Sequence, residues 1–267
     1  MLGIYVVLGA ITGIMAGMLG LGGGIIIVPA LSVLFSSSMP HDSVMHMAIG
    51  TSLAIMVFTS FSGMYVYHRR DAVLWAMVKN IFPSLLMGVL LGSLIADAFS
   101  SSYLQIFFGI FLWMIGWRML INKPRPVIEK TISKKMMWFI AAIIGMLSSI
   151  LGIGGGTMFV PFFLHCRATM SQAIGTSLAC GMIVGVLATI SFMLHGLDIK
   201  TPVPWSTGYI YWPAFFGVTV TSMLLAPVGG VIAHRLPTAM LKKIFALLVL
   251  LIAVMMLWKA GTYLASH

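Results

Sequence analysis

The stretch Gly20-Leu21-Gly22-Gly23-Gly24-Ile25-Ile26-Ile27-Val28-Pro29 lies in a long apolar run and returns as Gly152-Ile153-Gly154-Gly155-Gly156-Thr157-Met158-Phe159-Val160-Pro161. Three consecutive glycines weaken a helix by roughly 1 kcal/mol each relative to alanine, and the following proline removes a backbone donor. Each copy therefore predicts a break in a helix. Inside a bilayer, irregular backbone persists only where protein or a water-filled cavity satisfies its polar groups. The doubled break is our first candidate for a functional site.

The composition predicts an all-α polytopic membrane protein. Of the 267 residues, 60% are hydrophobic and 7% charged, mean hydropathy is +1.09, and residues 4–35 carry no charge. Runs longer than ~18 apolar residues are typical of membrane helices. The net charge of +10 comes from basic residues that lie between apolar segments, which favours positive-inside topology over nucleic-acid binding. We expect a multi-pass protein of the plasma (inner) membrane, with no nucleotide, cofactor or metal motif.

The apolar segments divide the chain into two homologous halves, each with one glycine-broken helix or re-entrant hairpin plus three transmembrane helices. Residues 122–135, rich in lysine, arginine and proline, are predicted to form a cytoplasmic linker. The predicted segments of the first half, 1–121, are a broken helix at 4–35 and helices at 44–67, 72–96 and 103–121. Those of the second half, 136–267, are a broken helix at 136–164 and helices at 170–194, 207–233 and 240–264.

A second repeated motif supports the duplication, because 48–54 (Ala-Ile-Gly-Thr-Ser-Leu-Ala) recurs letter for letter as 173–179. If both broken segments are re-entrant, the halves are inverted, and 13 of the 15 basic residues lie on the linker side of the membrane. If both cross, the halves are parallel and 11 lie there. The positive-inside rule favours inversion. It also places His267 outside the cytoplasm.

A break followed by a short helix presents backbone N–H groups without intrahelical acceptors and the positive end of the helix dipole, which favours a bound anion. The alternative is that the glycines only allow close helix packing. Because the break occurs twice, each time before an apolar tetrapeptide and proline, we predict a functional pair. The candidate residues are Gly22, Gly23, Gly24, Gly154, Gly155, Gly156 and Thr157.

Hydroxyl groups at matching places in both halves extend this candidate site. Thr51, Ser52, Thr176 and Ser177 can donate hydrogen bonds to the oxygens of a sulfonate, sulfite or carboxylate, although such residues also cap and bridge membrane helices. Two histidine–aspartate pairs three residues apart are candidates for proton or ion coupling, with interfacial helix ends as the alternative. They are His68 with Asp71 and His195 with Asp198.

On these doubled motifs, the sequence resembles the TauE/SafE family of membrane transporters, also called toluene sulfonate uptake permeases. The resemblance covers nearly the whole chain. It implies an exporter or permease of a small, sulfur-containing anion such as sulfite, sulfoacetate or another sulfonate, and it implies that the glycines of both breaks bind substrate. The second copy departs from the first in having Thr157 where the first has Ile25.

The sequence thus predicts a secondary carrier that works by alternating access and has a small anion and the lipid bilayer as its partners. Two other classes stay open. One is an accessory membrane subunit that transports nothing itself. The other is a membrane-embedded enzyme, which needs a titratable group at membrane depth, whereas the five acidic residues all fall at segment ends or in the linker.

Overall fold

The computed structural model describes residues 2–19, 23–121, 133–198, 203–235 and 238–266. Ten α-helices, one 3₁₀ turn and one short hairpin occur in these ranges. The first half contains α1 Leu2–Leu19, α2 Gly24–Phe35, α3 His41–His68, α4 Trp75–Ala98 and α5 Ser101–Ile121. The second half contains α6 Lys134–Leu151, α7 Gly156–His165, α8 Met170–His195, the 3₁₀ turn Gly196–Asp198, strands β1 Ser206–Thr207 and β2 Ile210–Tyr211, α9 Trp212–Arg235 and α10 Thr238–Ser266.

The fold is an all-α polytopic membrane protein, as the composition predicts. Within the described residues, six helices are long and apolar enough to cross a membrane, and four shorter apolar helices accompany them. Both predicted breaks are present, since α1 and α2 are separate helices and so are α6 and α7. The linker expected at 122–135 lies outside the described residues, apart from its last three positions.

One predicted boundary is wrong. The sequence predicts a helix from residue 207, whereas residues 206–211 form an antiparallel hairpin in which Ser206 pairs with Tyr211 and Thr207 with Ile210. Trp205 and Gly208 have positive φ angles of 64° and 57°, which helical backbone excludes. The hydropathy of Tyr209, Ile210 and Tyr211 resembles that of a helix start, so the apolar run alone did not reveal the turn.

The two halves are interleaved. The first helix of each half packs along the fourth helix of the other, so that α1 lies against α9 and α6 against α4, while α3 packs on α8 and α5 on α10. Glycines allow the close approach: a β-carbon at Gly88 or Gly92 would overlap the backbone carbonyls of Ala142 and Met146 in α6. Small residues serve this purpose in membrane helix packing.

The contacts also define helix direction. Gly63 lies against Leu178 and Gly185 against Val57, so α3 and α8 run antiparallel. In the same way, Gly109 lies against Leu257 and Gly116 against Leu250, so α5 and α10 run antiparallel. Each of these pairs joins a helix to its counterpart in the other half.

The chain turns back at the second break. Helix α6 runs parallel to α4, because residues 88 and 92 meet residues 142 and 146 in the same order. Helix α4 runs parallel to α8, because Leu74 meets Thr176 at one end and Ser93 meets Ser191 at the other. Helix α7 joins α8 through the short turn 166–169 and packs beside it, so it runs opposite to α8 and hence opposite to α6.

Candidate functional site

Both breaks depend on glycine in the left-handed region. Gly23 is the N-cap of α2 with φ 77°, and Gly155 is the N-cap of α7 with φ 69°. Gly152 ends α6 with φ 64°. Residues with a β-carbon rarely adopt such angles, whereas glycine adopts them without steric cost. Each glycine repeat thus places a left-handed glycine immediately before the helix that follows it.

The helices that follow the breaks begin with the same hydrogen-bond pattern. The amides of Ile26 and Ile27 both donate to the carbonyl of Gly23, at 3.0 and 3.1 Å. The amides of Met158 and Phe159 both donate to the carbonyl of Gly155, at 2.9 and 2.6 Å. The first two amides of each helix lie before these donors in the chain, and they are at the positive end of the helix dipole.

The structure brings the two breaks into contact. A β-carbon at Gly24 would lie 2.7 Å from the carbonyl oxygen of Gly152 and 3.1 Å from Cα of Ile153. A β-carbon at Gly181 of α8 would lie 2.6 Å from the carbonyl oxygen of Gly154. The start of α2 therefore contacts the second break, and this break lies against α8 where α8 packs on α3. We call this region the junction.

Met56 of α3 is a junction residue that the sequence did not single out. The amide of Gly154 donates a hydrogen bond to its thioether sulfur at 2.9 Å, and the same sulfur would lie 3.5 Å from a β-carbon at Gly24. The side chain is fully buried. Among 23 methionines, no periodicity distinguishes this one, and only its position shortly after the first Gly-Thr-Ser motif could have indicated it.

The repeated Gly-Thr-Ser motif joins the two halves. Thr51 accepts a hydrogen bond from the amide of Tyr211 at 3.0 Å, immediately before α9. Thr176 accepts one from the amide of Leu74, also at 3.0 Å, immediately before α4. Ser52 donates to the carbonyl of Gly152 at the second break, at 3.1 Å. Both threonine hydroxyls thus cap a helix start, and Ser52 touches the junction directly.

We expect Thr51→Val and Thr176→Val to lower the melting temperature of the purified protein and to leave anion affinity unchanged. Each substitution removes the acceptor of a half-buried amide, a loss worth about 1 kcal/mol. Thermal unfolding and sulfite titration of the same samples measure the two effects. Thr51→Ser retains the acceptor and is the matched control. Reduced affinity with unchanged melting would instead assign the threonines to substrate.

Buried hydroxyls without partners cluster near the second break. The hydroxyls of Ser148, Ser149 and Thr157 are buried and make no hydrogen bond in the described structure. A β-carbon at Gly155 would lie 3.0 Å from the Ser148 hydroxyl. Several other helical serines bond the carbonyl three residues earlier, as Ser32 does to Pro29 at 2.8 Å and Ser84 to Ile81 at 2.8 Å.

The cluster is confined to one half. Aligning Gly152 with Gly20 places Ala16, Gly17 and Ile25 opposite Ser148, Ser149 and Thr157. An unsatisfied buried hydroxyl costs roughly 1–3 kcal/mol, so these groups are suited to a bound ligand. Thr157 is among the predicted site residues, whereas the two serines are not, because serine is common in membrane helices and only the missing hydrogen-bond partner distinguishes Ser148 and Ser149.

The remaining predicted site residues are two glycines, a serine and the two histidine–aspartate pairs. Gly22 lies outside the described residues, and Gly156 and Ser177 are buried. Helix α3 ends at His68, and Asp71 follows in a turn with φ 52°, so the two do not share a helical face as expected. Instead, Nδ1 of His68 accepts a hydrogen bond from the indole of Trp75 at 3.2 Å.

The second histidine–aspartate pair lies where α8 ends. Nδ1 of His195 is 2.7 Å from the carbonyl of Ser191, and Asp198 closes the 3₁₀ turn. A buried histidine that the sequence analysis missed, His46, stacks on Tyr209 with ring centroids 5.0 Å apart. The Tyr209 hydroxyl donates to Asp97 at 3.1 Å. Titratable groups therefore gather where α3, α4 and the hairpin meet.

A polytopic helical fold with paired helix breaks and an uncharged junction defines a class of membrane transport proteins. The model of the sulfite exporter TauE/SafE family matches residues 5–256, and the chain belongs to this family. A Haemophilus influenzae protein named "Probable membrane transporter protein" is 32% identical over 253 residues, covering 94% of this chain and 96% of the relative. YunE of Bacillus subtilis, with the same description, is 24% identical over 277 residues, which cover 96% of this chain and 97% of the relative. No solved structure matches.

Proposed function

We propose that this membrane transporter is a secondary carrier of the plasma membrane that moves a small sulfur-containing anion, such as sulfite, sulfoacetate or another sulfonate. The observation that carries the proposal is the contact between the two glycine breaks, each followed by a helix start. The family name and the names of the relatives support transport as the activity and give no support to an enzyme.

The junction can attract an anion without a buried cation. Backbone amides at a helix start carry a partial positive charge, and glycine lets a ligand approach the main chain closely. Gly24 and Gly156 begin the two helices, and the hydroxyls of Ser148 and Thr157 offer two further donors. A tetrahedral oxyanion has several oxygens and can accept from amides and hydroxyls together.

Alternating access follows from an inverted arrangement of the halves, which we include in the proposal. Two observations support inversion: counterpart helices pack antiparallel in both α3–α8 and α5–α10, and α7 runs opposite to α6. Inverted repeats place a broken-helix site near the membrane centre, and rocking of one half against the other exposes it to each side in turn. Proton or ion coupling through His68, Asp71, His195 or Asp198 is a further prediction.

Purified protein in liposomes tests the proposed function. We expect uptake of radiolabelled sulfite, and inhibition of that uptake by unlabelled sulfoacetate and taurine-like sulfonates but not by a neutral sulfone of the same size. Empty liposomes and liposomes that contain Gly155→Val are the controls. If the protein is an accessory subunit or an enzyme, the liposomes should take up no sulfite without a partner protein. That result would contradict a carrier.

The native cysteine Cys166 gives a test of topology. It lies in the turn between α7 and α8 and is partly exposed, whereas Cys180 is fully buried. If α7 turns back, Cys166 and the 122–135 linker lie on the same, cytoplasmic side. We therefore expect a membrane-impermeant maleimide to label inside-out vesicles and not right-side-out vesicles.

The labelling needs alkaline conditions, because burial raises the pKa of the Cys166 thiol and only the thiolate reacts. Cys166→Ser is the negative control. Labelling of right-side-out vesicles would mean that α7 crosses the membrane, and it would remove the inverted arrangement.

A further inference from the structure

A groove of about 980 Å³ runs along the membrane-facing side of the second half, between α5, α6 and α7. Its walls are almost wholly apolar, and several wall residues, including Ile110, Met114 and Met136, are exposed at its rim. A groove of this composition at the edge of a helical membrane protein faces lipid chains and not water.

Basic side chains lie at one end of the groove. Arg118 belongs to the last turn of α5, and His165 is the last residue of α7. Met136, which also lines this end, follows Lys134 and Lys135 at the start of α6. The mouth of the groove thus lies on the linker side of the protein.

The inner end of the groove lies at Phe107, Leu147 and Thr157. Along α5, the distance from Arg118 to Phe107 is eleven residues, or about 16 Å at 1.5 Å per residue. The hydrocarbon core of a bilayer is about 30 Å thick, so the groove has the length of one leaflet. Its length and its charged end therefore match a lipid that stands in the linker-side leaflet.

A related groove in the first half has no basic residue in its lining, and the nearby Lys259 donates a hydrogen bond to Ser36 at the end of α2. The groove encloses about 610 Å³ between α1, α2 and α10, and its lining residues, from Gly3 to Met255, include no ionisable side chain. The two grooves occupy corresponding positions in the two halves, and the second differs from the first in having two basic residues, Arg118 and His165, in its lining. Ordinary bilayer lipid can fill the first groove without charge recognition.

The geometry points to a binding site for an anionic phospholipid, with its acyl chains in the α5–α6–α7 groove and its phosphate at Arg118 and His165. Basic pockets between membrane helices on the cytoplasmic side recognise anionic headgroups. The guanidinium of Arg118 provides paired donors for phosphate oxygens. Nδ1 of His165 lies 2.7 Å from the carbonyl of Pro161, which leaves Nε2 as the ring nitrogen that can contact the headgroup.

This lipid also contacts the helix that forms half of the junction. Thr157 and Met158, in the first turn of α7, line the inner end of the groove. A bound acyl chain packs against the helix start that follows the second break, so occupancy stabilises that arrangement of α7. The site does not depend on which anion the protein carries.

Native mass spectrometry of the delipidated full-length protein tests the assignment. We expect phosphatidylglycerol to bind on the order of tenfold more tightly than phosphatidylcholine, and Arg118→Gln to reduce that affinity about fivefold. Ile110→Trp, which fills the groove, should reduce binding of the lipid as well. The matched control is the double variant Arg69→Gln and Arg70→Gln. These two exposed arginines follow α3 on the linker side of the protein and do not line the groove.

Several outcomes would overturn the site. They are equal binding of the two lipids, an equal loss in the Arg69 and Arg70 control, and full competition by soluble glycerol phosphate, which has no acyl chains. A lipid-free dimer that Ile110→Trp dissociates would show that a second copy covers the groove. Retained phosphatidylglycerol selectivity in the Arg118→Gln and His165→Gln double variant would also contradict the assignment.

Discussion

Gly155→Val is expected to abolish anion binding and transport. The native φ of 69° disfavours any side chain, and a strained backbone of this kind costs roughly 1–3 kcal/mol. A β-carbon there would also overlap the ring of Phe159 and approach the Ser148 hydroxyl to 3.0 Å. The turn would have to change, and with it the direction of the first amides of α7. Gly23→Val, at the equivalent turn with φ 77°, should have the same effect.

Binding should be measured by sulfite titration on protein that still shows a cooperative melting transition. Gly208→Ala is a control for strain, because Gly208 also has a positive φ, of 57°, and lies in the hairpin against Met193. Gly261→Val is a control for the substitution itself, since a β-carbon at Gly261 would meet no atom within 4 Å. Gly109→Val is unsuitable as a control, because a β-carbon at Gly109 would lie 2.8 Å from the side chain of Leu257. Wild-type affinity in Gly155→Val and Gly23→Val would return the glycines to a packing role.

Ser148→Ala combined with Thr157→Val is expected to weaken anion binding by about tenfold to a hundredfold, since each hydrogen bond to a charged group is worth about 1.5–3 kcal/mol and part of this is offset by desolvation. The same change should leave the melting temperature of the ligand-free protein unchanged or raise it. Both hydroxyls are buried without partners, so their removal relieves a cost of folding. A binding role thus predicts weaker anion affinity with an unchanged or higher melting temperature, whereas a structural role predicts a lower melting temperature.

Thr219→Val is the matched control for this pair, because the Thr219 hydroxyl is also buried without a partner but belongs to α9 and not to either break. Its removal should affect stability in the same direction and leave sulfite affinity unchanged. Thermal unfolding with and without sulfite measures both quantities, since a ligand stabilises the folded state in proportion to its binding. An unchanged affinity in the Ser148 and Thr157 double variant would exclude these hydroxyls from the site.

Much of the junction could be predicted from local chemistry. The positions of both breaks follow from the conformational freedom of consecutive glycines, and Gly23, Gly152 and Gly155 all have positive φ angles. The sequence proposes the threonines of the Gly-Thr-Ser motif as donors to substrate, and that role stays a prediction. The sequence could not reveal that Thr51 accepts a hydrogen bond from the amide of Tyr211, a residue 160 positions away. No local pattern reports such a partner.

Hydropathy and glycine content act locally, so they identify a polytopic membrane protein of two related halves with one helix break in each. Which helices pack together, and that the breaks meet, depends on contacts between distant residues. Hydropathy does not predict these contacts, because lipid and protein interior are similarly apolar: α3 and α4 are about equally apolar, yet 78% of the apolar stretch of α3 is buried and only 39% of that of α4. Helix partners are instead selected by close packing at glycines such as Gly88 and by single hydrogen bonds between distant residues.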